Sequence, residues 1–176
     1  MTQGLKKSLK ECGALMYGNF TLASGEKSTY YIDIKKASTD PKVLGEIAKG
    51  LASLIKENDL RCNRLAGIVL GSIPIAVALS LETGIPYVMV RKERKEHGTA
   101  RTIEGTLNSG EKVIVVEDVV TSALSASEAV KTLREQGALV EDVIAVVDRK
   151  GGGKERLEAM GLNFHPLLTA EQLLEE

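Results

Sequence analysis

Four short, nearly unbroken apolar runs constrain this chain more than any other feature: LAGIVLG (65–71), YVMV (87–90), VIVVED (113–118) and VIAVVD (143–148). Each reads as a strand. A strand without polar alternation has to be covered on both faces, which is the condition of a parallel sheet. Helical stretches with recognisable ends lie between them. Asp40 and Pro41 fit an N-cap and a first helical position, opening a helix to about Lys56. Pro74 opens another, to about Glu82. Ser125, with Glu128 three residues on, forms the S-x-x-E pattern that starts a third, and Gly137 closes it as a left-handed cap. Gly161 ends a fourth, and Thr169 to Gln172 is a further capping box. Strands alternating with helices predict an α/β fold with right-handed crossovers, in which ligands collect at the carboxyl ends of strands where the strand order reverses.

The first 38 residues differ. MTQGLKKSLKECGAL is amphipathic, with Leu5, Leu9 and Cys12 on one face of a helix. It has no apolar stretch after its lysines, so it does not read as a signal peptide. GNFTLASGEKSTYYIDIKKAS (18–38) carries two short alternating runs around Ser24-Gly25, which suits a small antiparallel hairpin or hood beside the main sheet. The expected organisation is one domain over 1–176, with the hood in 1–38 and an α/β core in 39–176.

Bulk properties narrow the function. A net charge of −1 gives no reason to expect nucleic acid or a membrane surface as partner. With 3% aromatic residues and no Trp, base-stacking platforms are not expected. No apolar run approaches the ~20 residues that span a bilayer. Cys12 and Cys62 make no C-x-x-C, and His97 and His165 complete no zinc spacing, so no metal is expected on protein ligands alone. The cysteines read as buried free thiols, which suits a reducing cytoplasm.

The segment VIVVEDVVTSALS (113–125) carries the chemistry. Its apolar strand runs into Glu117 and Asp118, then into a turn with a free hydroxyl at Thr121, then into a helix start. The first N–H groups of a helix lack partners and the dipole there is positive, so the start attracts anions. Two carboxylates beside an anion site suit a ligand with both hydroxyls and a phosphate, such as a ribose 5-phosphate. The acids alone would also suit a solvated strand end; Thr121 and the helix start behind them favour the ligand.

RKERKEHGTARTIEG (91–105) is neither strand nor good helix. It follows a buried strand, so its base lies at the carboxyl edge, and its charge and bounding Gly98 and Gly105 suit a lid. The charge run by itself would equally suit a solvated helix with i,i+4 pairs. For a phosphorylated ribose with diphosphate on carbon 1, displacement by a nitrogen nucleophile makes the ring carbon oxocarbenium-like and loads charge on the leaving group. Positioning and cations then suffice for catalysis. Arg91, Lys92, Arg94, Lys95 and His97 supply cations and a proton donor, although Arg94 and Glu96 read as solvent-facing. Diphosphate travels with Mg²⁺, held mostly by substrate oxygens and water. The turn Gly71-Ser72-Ile73-Pro74 offers N–H groups to the diphosphate. Arg149, in VVDRK, suits a planar or anionic nucleophile, or else pairs with Asp148 or Glu141. Gly151-Gly152-Gly153-Lys154 lacks the phosphate-loop frame and reads as a flexible turn. His165 reads as structural.

These residues resemble a known family. VIVVEDVVTSALS resembles the phosphoribosyl-pyrophosphate signature of the type I phosphoribosyltransferases. GNFTLASGEKSTYYIDIKKAS, VRKERKEHGTARTIEG and VVDRK resemble its orotate-directed branch, in an order that covers 13 to 150. The resemblance implies the type I phosphoribosyltransferase fold and a pentosyl transfer from phosphoribosyl pyrophosphate to orotate, with Mg²⁺. It implies a homodimer with shared sites. Arg91, Lys92, Lys95 and His97 would meet the diphosphate, Lys95 and His97 coming from the neighbouring subunit. Glu117, Asp118, Val119, Val120, Thr121, Ser122, Ala123, Leu124 and Ser125 would surround the ribose phosphate. Thr121 and Arg149 would meet orotate, whose ring the backbone near Tyr30 and Tyr31 would flank. Lys95, His97 and Asp118 are the expected catalytic groups. The chain departs from the family pattern at Ala123 and Leu124, where two glycines are usual, at Ser72 in a turn that is usually Gly-Gly, and at Ala23, often a lysine. Two rival readings keep the fold: a ligand-sensing regulator, motivated by the lost glycines, and a purine-directed transferase, against which the hood sequence speaks.

Overall fold

The computed structural model describes residues 2–21, 27–91 and 102–175. Helix α1 (Thr2–Glu11) leads into an antiparallel pair, β1 (Leu15–Thr21) and β2 (Lys27–Ile32). A single turn, α2 (Ile34–Ala37), and the long α3 (Pro41–Glu57) follow. Strands and helices then alternate: β3 (Arg64–Ile68), α4 (Ile73–Thr83), β4 (Tyr87–Val90), β5 (Ile103–Glu104), β6 (Lys112–Val120), α5 (Leu124–Glu135), β7 (Leu139–Asp148), α6 (Gly153–Ala159), β8 (Asn163–Thr169) and α7 (Ala170–Leu174).

The main sheet has the order β5-β4-β3-β6-β7-β8, and every neighbouring pair is parallel except β5 against β4. From β3 the chain goes to β4 on one side and then to β6 on the other. The strand order therefore reverses between β3 and β6, where a crevice opens at the carboxyl ends. Successive side chains along a strand serve opposite faces. Leu65, Ile114, Val116 and Ile144 pack with α1, α3, α4 and α7 in one apolar layer. Ala66, Val113, Val115 and Val143 pack with α5 and α6 in the other. Each fully buried Leu or Ile contributes roughly 1.5–3 kcal/mol of transfer free energy. The result is the expected α/β architecture, a mostly parallel sheet with helices on both faces.

Most element ends follow local chemistry. Asp40 caps α3, its Oδ1 accepting from the N–H groups of Lys42 (2.9 Å) and Val43 (3.1 Å), with Pro41 in the first turn. Gly137, at φ 83°, and Gly161, at φ 72°, follow α5 and α6 as left-handed residues. The Thr169–Gln172 capping box is present at α7. Leu5 and Leu9 of α1 are buried in the core, while Cys12 lies just past its end. Both cysteines are free and half-buried rather than buried. The hairpin is present as β1 and β2, and its turn, with Ala23 and Ser24-Gly25, lies outside the described residues.

Three expectations need correction, and one strand has no reading in the sequence. Strand β6 runs two residues beyond Asp118, because Val119 and Val120 pair with Val147 and Asp148 of β7. Helix α5 begins at Leu124 behind Ala123, which is left-handed (φ 56°, ψ 23°). Ser125 is thus inside the helix and forms no capping box with Glu128. The segment 91–105 is not free of strand: Ile103 and Glu104 pair antiparallel with Val90 and Met89, since Ile103 buries its side chain in the core. Finally, β8 exists although Asn163, His165 and Pro166 break its apolar pattern. It is the sheet's edge, where a missing N–H is tolerated. His165 faces Asp142 there, Nε2 to Oδ1 3.1 Å, which is the structural role expected of it.

Candidate active site

Strand β3 pairs with β6 only as far as Gly67 opposite Val116. Beyond that point the chain leaves the sheet through Val69, Leu70 and Gly71, with a cis peptide between Val69 and Leu70. Glu117 and Asp118 therefore have β7 on one side and the crevice on the other. This physical asymmetry puts two acids at the end of a buried strand. A cleft of about 620 Å³ lies here, lined by both acids, by Leu70 and Gly71, by Thr121, Ser122, Leu124 and Ser125, and by Tyr31, Lys35 and Arg149. A second cavity of about 540 Å³, lined by Leu5, Gly50, Leu54 and Leu167, is the more apolar of the two. The first is the candidate site, because there, among the described residues, Glu117, Asp118, Lys35 and Arg149 meet the hydroxyls of Thr121, Ser122 and Ser125 and the start of α5.

The acids differ in setting. Glu117 is 6% exposed, and its Oε2 accepts a 2.7 Å hydrogen bond from Ser72 Oγ. Ser72 stands at the N-cap position of α4 yet makes no cap bond with its side chain. Its hydroxyl spans the crevice instead and fixes the carboxylate. Asp118 accepts at Oδ1 from the N–H of Val119, 2.8 Å away. Its other oxygen lies over the Cα of Gly71, where any Cβ would collide with the carboxylate. Gly71 is thus required by close approach.

Thr121 and Ser122 form the short loop after β6, and Ser125 sits in the first turn of α5. No side chain caps α5 and its first turn holds no acid. Its leading N–H groups and dipole face the loop, which suits a phosphate. Of the two residues where glycines are usual, Ala123 is buried (6% exposed) and takes the left-handed conformation that glycine adopts freely. Leu124, by contrast, is exposed and lines the cleft. Val119 lines the cleft from within β6, and Val120 is buried in the core. Gly151 and Gly153 pack against the Thr121 carbonyl, where neither has room for a Cβ, while Gly152 is open and left-handed at φ 80°.

At the other end, the Arg149 guanidinium stands 4.9 Å above the Tyr30 ring and reaches Ser28 Oγ at 3.4 Å. Ser28 donates in turn to the Tyr30 carbonyl, at 2.7 Å. Arg149 pairs with neither Asp148 nor Glu141; it joins the hood to the core strands. Arg91, the residue after β4, is not among the described residues lining the cleft. Its N–H donates to the Thr102 carbonyl (2.8 Å) and its guanidinium lies 3.7 Å from Glu104. Lys92, Arg94, Lys95 and His97 lie outside the described residues. The structure adds three groups that sequence reasoning did not assign to the site: Lys35, Ser28 and Gly151. None has a local signal, since each is brought in from another element.

Residues 38–161 match the model of the phosphoribosyl transferase domain family. The protein named orotate phosphoribosyltransferase from Methanosarcina acetivorans is 50% identical over 98% of this chain and 91% of its own. This chain belongs to the orotate phosphoribosyltransferase family. The crystal structure of the orotate phosphoribosyltransferase from Aeropyrum pernix superposes with a TM-score of 0.88 at 34% identity, covering 97% of this chain and 96% of that one. The Mycobacterium tuberculosis orotate phosphoribosyltransferase, solved in complex with 5-phospho-α-D-ribosyl 1-diphosphate, superposes at 0.81 with 30% identity over 98% of each chain.

Proposed function

We propose that this chain transfers the 5-phosphoribosyl group from phosphoribosyl pyrophosphate to orotate, giving orotidine 5′-phosphate and diphosphate in pyrimidine biosynthesis. The observation that carries the reading is the single cleft joining Glu117, Asp118 and the Thr121–Ser125 loop to Arg149 over Tyr30. The α5 start and the hydroxyls of Ser122 and Ser125 hold the 5-phosphate. Glu117 and Asp118 accept from the ribose 2- and 3-hydroxyls and face the ring as it becomes cationic. Arg149 and Thr121 grip orotate, its ring lying against Tyr31. Arg91, Lys92, Lys95 and His97 neutralise the departing diphosphate, with His97 as proton donor, so Lys95, His97 and Asp118 act closest to the reacting atoms.

Among the described residues no three metal-ligating side chains converge. The cation of the family reading arrives with the diphosphate and keeps mostly substrate and water ligands, with Asp118 as the adjacent carboxylate. Mg²⁺ bound in this way would supply charge neutralisation to the leaving group. The family reading also implies a homodimer in which Lys95 and His97 serve the neighbouring subunit's site, and a cytoplasmic enzyme of one domain. No helix among the described residues is long and apolar enough to cross a membrane.

The test offers the purified protein orotate, hypoxanthine, adenine and uracil, each with phosphoribosyl pyrophosphate and Mg²⁺. Turnover with orotate alone is expected. Turnover with a purine would replace the substrate, and tight binding of the activated sugar without product would make the protein a sensor.

A further inference from the structure

We propose that Lys35 is a diphosphate-binding residue of this site, reaching it from helix α2 across the bare backbone of Gly71. The inference rests on the transferase reading above and adds to it a cation from outside the lid and outside the 113–125 signature.

Three observations carry it. Lys35 lines the cleft, on the wall that holds Gly71 and Asp118. Its aliphatic stem lies against Gly71, with Cγ 3.2 Å from where a Cβ would stand. That space exists only because residue 71 has no side chain, and the Asp118 carboxylate occupies the rest of it. The ammonium is also only loosely held. Its ion pair is with Asp33, 3.7 Å away, and its side chain is 51% exposed. An exposed pair at that separation contributes little, so the head group can turn to a stronger anion at small cost.

Charge complementarity selects the ligand. Glu117 and Asp118 make this wall of the cleft anionic, which opposes a leaving group that gains negative charge. Arg149 stands over Tyr30 at the orotate end. Among the described residues lining the cleft, that leaves Lys35 as the cation beside the Gly71-Ser72 turn. The 5-phosphate is held by the α5 start and orotate by Arg149, so the diphosphate is the anion that occupies the Gly71 corner. A lysine on a flexible stem suits a leaving group that moves as its bond to carbon 1 lengthens.

The test uses the full chain with Lys35→Ala, Lys35→Gln and Lys35→Arg. Steady-state kinetics give KM for phosphoribosyl pyrophosphate and for orotate, and the inhibition constant of Mg²⁺–diphosphate. Calorimetry gives the affinity for ribose 5-phosphate, which lacks the diphosphate. Lys35→Ala and Lys35→Gln are expected to raise KM for the activated sugar and the diphosphate inhibition constant together, by at least about tenfold, as loss of a charge-assisted contact does. Orotate KM and ribose 5-phosphate affinity should move less than about twofold, and Lys35→Arg should recover most of the loss. An unchanged diphosphate constant in both neutral variants overturns the proposal, whatever happens to kcat. So does a parallel loss of ribose 5-phosphate affinity, which would mark Lys35 as a support of the fold. If the parent protein makes no product with orotate, the transferase reading fails; calorimetry of Mg²⁺–diphosphate against the parent and Lys35→Ala then decides Lys35 alone, a tenfold weakening supporting it and equal affinity refuting it.

Discussion

Replacing Ser72 by alanine should cost stability and sugar binding together, because one hydroxyl serves both. Ser72 is 1% exposed and Glu117 6% exposed, and the 2.7 Å bond between them joins the turn after β3 to the end of β6. A hydrogen bond to a charged group contributes roughly 1.5–3 kcal/mol. The Glu117 side of the pair opens onto the cleft, where water can replace part of the loss, so the lower half of that range applies, about 1.5–2 kcal/mol. For a domain of this size each kcal/mol moves Tm by about 2–4 °C, which predicts a fall of about 3–8 °C. Urea unfolding followed by far-UV circular dichroism should show a lower midpoint with an unchanged slope. The carboxylate loses the Ser72 contact that orients it across the crevice, so KM for phosphoribosyl pyrophosphate should rise several-fold while orotate KM holds. Ser72→Gly should cost about 0.5–1 kcal/mol more than Ser72→Ala, since glycine adds freedom to the unfolded chain. A double-mutant cycle with Glu117→Gln isolates the pair, and about 1 kcal/mol or more of coupling is expected. Coupling near zero, or Ser72→Ala within 0.5 kcal/mol of the parent, would refute the view that this hydroxyl holds Glu117 in place.

Two further outcomes follow from the geometry. Arg149→Ala should raise orotate KM at least about tenfold, with KM for the activated sugar within about twofold, because the guanidinium stands at the Tyr30 end of the cleft; steady-state kinetics with each substrate varied would show the opposite split if Arg149 served the phosphate. Far from the site, Glu111 accepts a forked pair of bonds from Arg64, at 2.7 and 2.8 Å, and this partner, with the Asn108 N–H, holds its carboxyl at about 2, below the usual 4.5. The fold favours the ionised form, so the pair's contribution is complete above about pH 5 and is lost as pH falls from there towards 2; Glu111→Gln should remove roughly 1 kcal/mol at pH 7 and flatten the acid side of a stability–pH profile, and an unchanged profile would show the pair to be idle.

Much of the framework was legible in the sequence. Where a signal is local it survived folding: the apolar runs became β3, β4, β6 and β7, and Asp40-Pro41 marks the start of α3 to the residue. That Glu117, Asp118, Thr121 and Arg149 would share one edge was legible because strand ends point at one edge in a parallel sheet, and all four line the cleft. Signals failed where a pattern has more than one structural outcome. S-x-x-E at Ser125 is as compatible with a helix interior as with a cap, and the left-handed Ala123 moved the start of α5 back. Strand β8 was hidden by Pro166, which only an edge position accommodates.

What the chain's own order of residues determined was the main strands and helices of the core, their buried faces and the acids and hydroxyls that end β6, since hydrophobic period and capping chemistry act over a few neighbours. What only the tertiary structure decided was which distant groups meet at that end. Ser72 on Glu117, Lys35 across Gly71, and Arg149 over Tyr30 join residues 45, 36 and 119 positions apart. Such contacts exist because β3 and β6 diverge at the reversal of strand order and leave a gap that α2, the hood and the turn before α4 border. No pattern within a window of a few residues encodes that gap; it arises from how the whole sheet pairs.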